Sequence, residues 1–138
     1  MDGFRFSTEV RVRFAETDAQ GVAHHAAFLV WLEVARVEYL ERHAGGYPAI
    51  RERGVEALTT EVTVRYHRAA HFDDRLTVWA RCRDLVGARF RFEYAVERIE
   101  DGAVLADGWT AHACVDRETL RPTRMPAWLT DAIATAEA

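Results

Sequence analysis

A run from Ala26 to Leu40 leaves this chain few ways to fold. It is apolar at 12 of 15 positions, and its charged residues, Glu33, Arg36 and Glu38, project in different directions around a 3.6-residue helix. A helix that is apolar on nearly every side is stable only when surrounded. Fifteen residues are too few to cross a bilayer, so the remainder of the chain must do the surrounding. Arg42 and His43 followed by Gly45-Gly46 mark the helix end. A short second helix is predicted after Pro48, from Ala49 to Arg53, and a terminal one from Pro126 through Trp128, Leu129 and Ile133.

The surrounding material reads as strands, because five segments alternate apolar and polar residues with period two. The first runs from Phe4 to Phe14, with Phe4, Phe6, Thr8, Val10, Val12 and Phe14 on one face. The second places Leu58, Thr60, Val62, Val64 and Tyr66 together; the third Leu76, Val78, Ala80 and Cys82; the fourth Phe90, Phe92, Tyr94 and Val96. The fifth, Val104 to Asp116, is expected to turn Leu105, Trp109, Ala111, Ala113 and Val115 to one side. The last four are separated only by His71–Asp74, Val86-Gly87 and Glu100-Asp101-Gly102. Links this short cannot hold crossover helices, so the strands should be antiparallel. One strand, an enclosed helix and four antiparallel strands predict an α+β fold in one domain, a curved sheet of five or six strands wrapped around a long central helix.

The chain has 138 residues, enough for a core without disulfide or metal support. Its net charge of -4 offers no general basic field for nucleic acid. The N-terminus lacks a basic stretch followed by an apolar core, which predicts no signal peptide and a cytoplasmic location. Cys82 and Cys114 fall in strands and form no C-x-x-C pair, so buried reduced thiols are expected. His67 and His71 have no third ligand at suitable spacing, and no metal is expected.

Chemistry concentrates between Phe14 and His25, in Phe14-Ala15-Glu16-Thr17-Asp18-Ala19-Gln20-Gly21-Val22-Ala23-His24-His25, which runs directly into the enclosed helix. A helix start exposes unpaired N–H groups and partial positive charge, which can polarise a carbonyl and hold the oxyanion formed when it is attacked. A carboxylate on the preceding loop, turned by Gly21, could face the same carbonyl carbon. Asp18 suits that role, but it equally suits a turn in which it caps its own backbone, and spacing alone favours the turn. His24 and His25 are likewise compatible with simply beginning the helix.

The stretch Val12 to Phe28, followed by Trp31-Leu32-Glu33-Val34-Ala35-Arg36, resembles the signature of the 4-hydroxybenzoyl-CoA thioesterase family, whose members adopt the hotdog fold. There an aromatic residue precedes an acidic-Thr-Asp-x-x-Gly-Val segment, and an aromatic-rich helix with Glu-x-Ala-Arg follows. A second match runs from Val64 to Leu76 and ends in Asp73-Asp74-Arg75-Leu76. The resemblance covers roughly residues 8 to 117. It implies acyl-CoA thioester hydrolysis, with Asp18 as nucleophile or general base and His25 at the position whose main-chain N–H binds the thioester oxygen. His24 stands where many relatives have Tyr or Trp, Phe14 where they often have Tyr, and Ala70 where Pro is usual.

Such hydrolysis needs no cofactor, since the thiolate leaves readily. Substrate contacts are expected at His24, Phe28, Arg68 and Arg89, the arginines toward the phosphates of coenzyme A; an acyl carrier protein is an alternative donor. Phe28, Trp31, Leu32 and Leu58 are candidates for either the acyl pocket or the core. Trp79, at an outward position, suggests a subunit contact, and the resemblance implies a homo-oligomer, tetramer or dimer, with active sites between subunits. Competing readings are a hotdog hydratase or dehydratase using His25 and Glu33, and a non-catalytic acyl-CoA-binding module.

Overall fold

The computed structural model describes residues 1–138. In chain order the elements are β1 (Phe6–Arg11), a 3₁₀ turn (Phe14–Glu16), α1 (Ala27–Ala44), α2 (Gly46–Glu52), β2 (Val55–Tyr66), β3 (Arg75–Val86), β4 (Arg89–Arg98), β5 (Val104–Asp116) and α3 (Ala127–Glu137). The strands form one antiparallel sheet in the order β1-β3-β4-β5-β2. Its inner face packs on α1, which buries Phe28, Trp31, Leu32, Ala35, Arg36, Tyr39 and Leu40. Phe92, Tyr94, Leu76, Val78 and Val96 meet them from the strands. Helix α1 runs one turn beyond the expected Leu40 and stops at Gly45, whose φ of 82° is open to glycine and whose N–H bonds to Leu40 O. Helix α2 starts at Gly46, ahead of the expected Ala49.

Four expectations about strand faces need correction: Phe4, ahead of β1, packs on Trp79 outside the sheet while Phe6 is buried within, and three others each have a local geometric reason. Alternation in β1 ends at Arg11; the 3₁₀ turn swings Phe14 outward, leaving it 76% exposed in an edge-to-face pair with Phe72. In β2 the register against β5 slips between Thr59 and Glu61, so Thr60 is a bulge. Leu58 therefore shares the outer face with its neighbour Ala113, whereas Val62, Val64 and Tyr66 share the inner one. In β5 a second slip, opposite Val96 and Glu97, inserts Leu105 as the extra residue. Beyond it Thr110, His112 and Cys114 point inward, and Trp109, Ala111 and Ala113 outward.

Helix α3 closes the end of the core through a single carboxylate. Glu137 Oε2 accepts the Tyr39 hydroxyl at 2.5 Å and the Cys82 N–H at 3.0 Å, and Oε1 pairs with Arg83 at 2.9 Å. It thus occupies the β3 edge beyond the last β1 partner, Phe6 opposite Ala80. Burial, followed by this carboxylate, pushes the Tyr39 hydroxyl well above its ordinary pKa and Cys82 up to about 12, so both stay protonated. Both cysteines are free and buried. Glu137→Ala is expected to lower stability by about 1–3 kcal/mol, because it orphans the buried Tyr39 hydroxyl; the urea midpoint reads this directly.

Trp79 is half-buried rather than free. The N-terminal segment lies over the outer face of the sheet, with Phe4 6.4 Å from the Trp79 ring and its own ring under the Arg81 guanidinium at 4.5 Å. Gly3 O accepts from Arg81 at 3.1 Å, which fastens the segment there. An outward tryptophan is thus in part covered by its own chain.

Candidate active site

The loop carrying Asp18 is a small hairpin-like excursion. Thr17 and Ala23 pair across it, Asp18 N–H bonds to Val22 O at 2.9 Å, and Gly21 N–H returns to Asp18 O at 3.0 Å. Gly21 takes φ +80°, a left-handed conformation that closes the turn. Asp18 Oδ1 accepts the Gln20 N–H at 2.8 Å. The carboxylate therefore does stabilise its own turn, but with one oxygen only; Oδ2 makes no hydrogen bond within the chain. The loop is docked on the β2–β3 connection by the Val22–His71 bridge and by Ala23 N–H to Ala70 O at 2.7 Å.

From Ala23 the chain turns into α1, and its first donors are unequally used. Ala26 N–H is taken by His24 Nδ1 at 3.1 Å, and Ala27 N–H by His24 O at 2.9 Å. His24 itself is exposed and stacks on His25 with ring centroids 4.3 Å apart. Its side chain thus holds the N–H of Ala26, the residue just ahead of α1. The N–H of His25 has no hydrogen-bond partner in the chain, and the first turn of α1 contains no acidic residue to neutralise the positive helix end. Tyr66, from the end of β2, donates its hydroxyl to His25 O at 2.8 Å and packs edge-on against Phe28 at 5.1 Å. Burial raises the Tyr66 pKa, so the hydroxyl keeps the proton it donates.

Beside this helix start is an open cleft of about 310 Å³ lined by Ala23, His25, Phe28, Tyr66, His67, Arg68 and Ala69. Phe28 is 2% exposed, pressed between Trp31 and Tyr66, and forms the floor of the cleft while belonging to the core.

A family model described as the thioesterase-like superfamily matches residues 12–133. The chain belongs to the thioesterase-like superfamily. It is 32% identical to the acyl-CoA thioesterase YbgC of Haemophilus influenzae, across 88% of each chain. It is 29% identical to the acyl-CoA thioester hydrolase YbgC of Escherichia coli O157:H7, across 88% of this chain and 90% of that one. Among solved structures it is similar to the DHNA-CoA thioesterase of Staphylococcus aureus, at a TM-score of 0.85 and 26% identity, covering 95% of this chain and 89% of that one. The wrapped sheet and enclosed helix are the hotdog fold.

Within this thioesterase-like chain, the candidate residues do not all come together. His25, Phe28 and Arg68 line the cleft; Asp18 sits on the adjoining loop, and His24 stacks on His25 without lining the cleft itself. Arg89 is elsewhere. It begins β4 opposite Ala113, lies on the outer face beside Arg91, and lines a separate groove with Asp84 and Val86. Seven residue steps along β4 separate Arg89 from Val96, whose row continues through Ala106 to Tyr66. That is a distance of about 23 Å along the strand. His67 pairs with Asp107 at 2.9 Å, and His71 approaches Asp74 at 3.8 Å. No group of three or more His, Cys, Asp or Glu side chains is placed to hold a metal ion, and no helix is long and apolar enough to cross a membrane.

Two further side chains shape this region without a mark in the sequence. Alternation shows Tyr66 only as a strand residue; nothing local shows that its hydroxyl reaches the helix start. Glu16 stands in the sequence only as part of the motif. Its side chain is only 8% exposed, and it accepts the Arg13 N–H at 2.8 Å and the Trp31 indole N–H at 3.0 Å. Burial alone would raise its pKa, but the Arg13 and Trp31 donors outweigh that and hold it below the ordinary carboxylate value.

Proposed function

We propose that this hotdog protein hydrolyses acyl-CoA thioesters to the free acid and coenzyme A. Asp18 acts as nucleophile or general base, and the His25 N–H donates a hydrogen bond to the thioester oxygen as negative charge develops on it. The observation that carries the reading is the pairing of an unbonded amide at the helix start with a carboxylate oxygen left free on the adjacent loop. A fixed helix-end donor is worth more against a forming oxyanion than against the ground-state carbonyl, which is the condition for lowering a barrier. Proton transfer or attack by Asp18 supplies the other half of acyl transfer. Glu33 supports no hydratase chemistry with His25: it is 66% exposed and its ion pair is with Arg36.

The same reading needs a second copy of the chain. Strand β2 is a sheet edge 12 residues long, and Val62 and Tyr66 are exposed on its inner face. Antiparallel pairing of two β2 edges would bring the Val55 end of one copy beside the Tyr66 end of the other. Arg89, in one row with Ala113 and Leu58 on the outer face, stays on the side of such a joined sheet away from either cleft, so it is not the phosphate contact. Arg68, on the cleft wall, is the phosphate contact from the same copy. Light scattering should return two or four times 15.7 kDa; a monomeric mass overturns this assembly.

The decisive experiment is thiol release from a panel of aromatic, short-chain and medium-chain acyl-CoAs and an acyl carrier protein thioester. Release of free CoA from at least one, with no added metal, is expected. No release from any of them overturns the proposal.

A further inference from the structure

We propose that Glu16 is a positioning residue, which sets the distance between the Asp18 loop and the helix-start amide by clamping both to α1. The inference rests on the reading of Asp18 and His25 just given. Glu16 immediately precedes the paired Thr17 and Ala23 that close the loop. Its main-chain oxygen accepts the His24 N–H at 2.7 Å, so it touches the loop where the chain returns. Its carboxylate takes the Arg13 N–H at 2.8 Å and the Arg13 guanidinium at 3.3 Å, where the chain enters. Its other tie is to the Trp31 indole at 3.0 Å, one turn into α1, where Trp31 is 2% exposed and packs on Phe28. One side chain thus joins entry, exit and helix.

An exposed carboxylate in this position would contribute little, because water competes for each donor. Buried, it holds its donors at fixed places, and the helix cannot slide relative to the loop without stranding either the indole N–H or the carboxylate. Catalysis by a base and an oxyanion donor on separate segments depends on that spacing: a displacement of about 1 Å can cost around a hundredfold in rate. Trp31→Phe removes the indole donor and keeps an aromatic ring in the core, so it tests the clamp with little change in packing. Glu16→Gln keeps one acceptor oxygen and removes the charge.

The measurement is twofold: steady-state hydrolysis, and amide hydrogen exchange of residues 17–25 in the full chain. Trp31→Phe should lower kcat by about 10- to 100-fold, leave KM within about twofold, and speed exchange in residues 17–25 while leaving β3 and β4 unchanged. Glu16→Gln should fall between wild type and Trp31→Phe. Combining the two should be no worse than the poorer single variant, because both cut the same tie. A kcat loss that follows only the fraction unfolded, additive losses, or unchanged exchange in residues 17–25 overturns the proposal. If wild type itself hydrolyses no thioester, the functional reading fails, and the exchange data still decide whether Glu16 holds the loop.

Discussion

Asp18→Asn is expected to reduce kcat for thioester hydrolysis by about 10²- to 10⁴-fold, the range spanned by loss of a positioned base or nucleophile. Thermal stability and binding of coenzyme A should stay near wild type. The substitution is selective because of how the loop is built. Asn presents the same oxygen to the Gln20 N–H that Asp18 Oδ1 now accepts, so the turn from Asp18 to Gly21 survives. What it loses is a carboxylate able to attack or to take a proton. The His25 amide, a main-chain group, remains in place and retains part of the rate enhancement. Asp18→Ala, which also removes the turn-stabilising oxygen, should add loosening of the loop to the chemical defect. Thiol release followed spectrophotometrically, beside a thermal melt, separates the two effects. A rate for Asp18→Asn within about tenfold of wild type would mean that the chemistry lies elsewhere.

Acid is expected to weaken the fold well above the range where carboxylates titrate, because of His112. This ring lies in the core at 2% exposure, stacked on Phe90 at 5.1 Å. It ends a chain of hydrogen bonds that starts at Arg36 on α1. Arg36 Nη1 donates to the Tyr94 hydroxyl at 3.1 Å, Tyr94 meets Thr110 at 2.7 Å, Thr110 meets His112 Nε2 at 2.6 Å, and His112 Nδ1 lies 3.3 Å from the Thr59 hydroxyl. A guanidinium can only donate, so the Tyr94 hydroxyl accepts from Arg36. Tyr94, Thr110 and His112 continue the network as neutral groups that share its hydrogens. Charging the ring would set a second cation on the same buried network as Arg36.

Burial, reinforced by the nearby charge of Arg36, lowers the His112 pKa to about 3. An unfolded histidine titrates near 6.5. Between these values the unfolded state binds the extra proton, so acidification favours unfolding. The full contribution is present above about pH 6.5 and is lost progressively toward pH 3, at up to about 1.4 kcal/mol per unit. Between pH 7 and 5 the cost is about 2 kcal/mol. His43, whose pKa is also lowered by burial and by Arg42, adds to the same trend. His112→Gln keeps that background and removes the His112 part. Urea midpoints at the two pH values should therefore converge in the variant relative to wild type. Equal pH dependence in both proteins would show that His112 does not control acid stability.

Much of this molecule was legible before any coordinates. The run from Ala26 to Leu40 required enclosure, and α1 is enclosed; short connections required antiparallel strands, and every pairing is antiparallel. The ordered motif around Asp18 and His25 resembles a known family, and the chain belongs to the thioesterase-like superfamily. In β2 and β5 the strand faces differ from simple alternation for one reason, whereas Phe14 leaves its face through the 3₁₀ turn. Leu58 and the Trp109–Ala113 segment lie on the faces opposite to those that alternation predicts, because one extra residue, Thr60 or Leu105, reverses the parity of everything beyond it. A bulge is a mismatch between two strands, and neither strand alone records it.

The sequence by itself determined the element types, their order and the need to bury α1, since periodicity and turn chemistry act between residues close in the chain. Only the tertiary structure decided what meets across elements: Tyr66 against His25, Glu16 against Trp31, Arg36 linked through Tyr94 and Thr110 to His112, and Arg89 set apart from the cleft it was expected to serve. Those contacts depend on register and on distance in space, and a buried polar group declares its partner only when the strand or helix carrying that partner has been brought beside it.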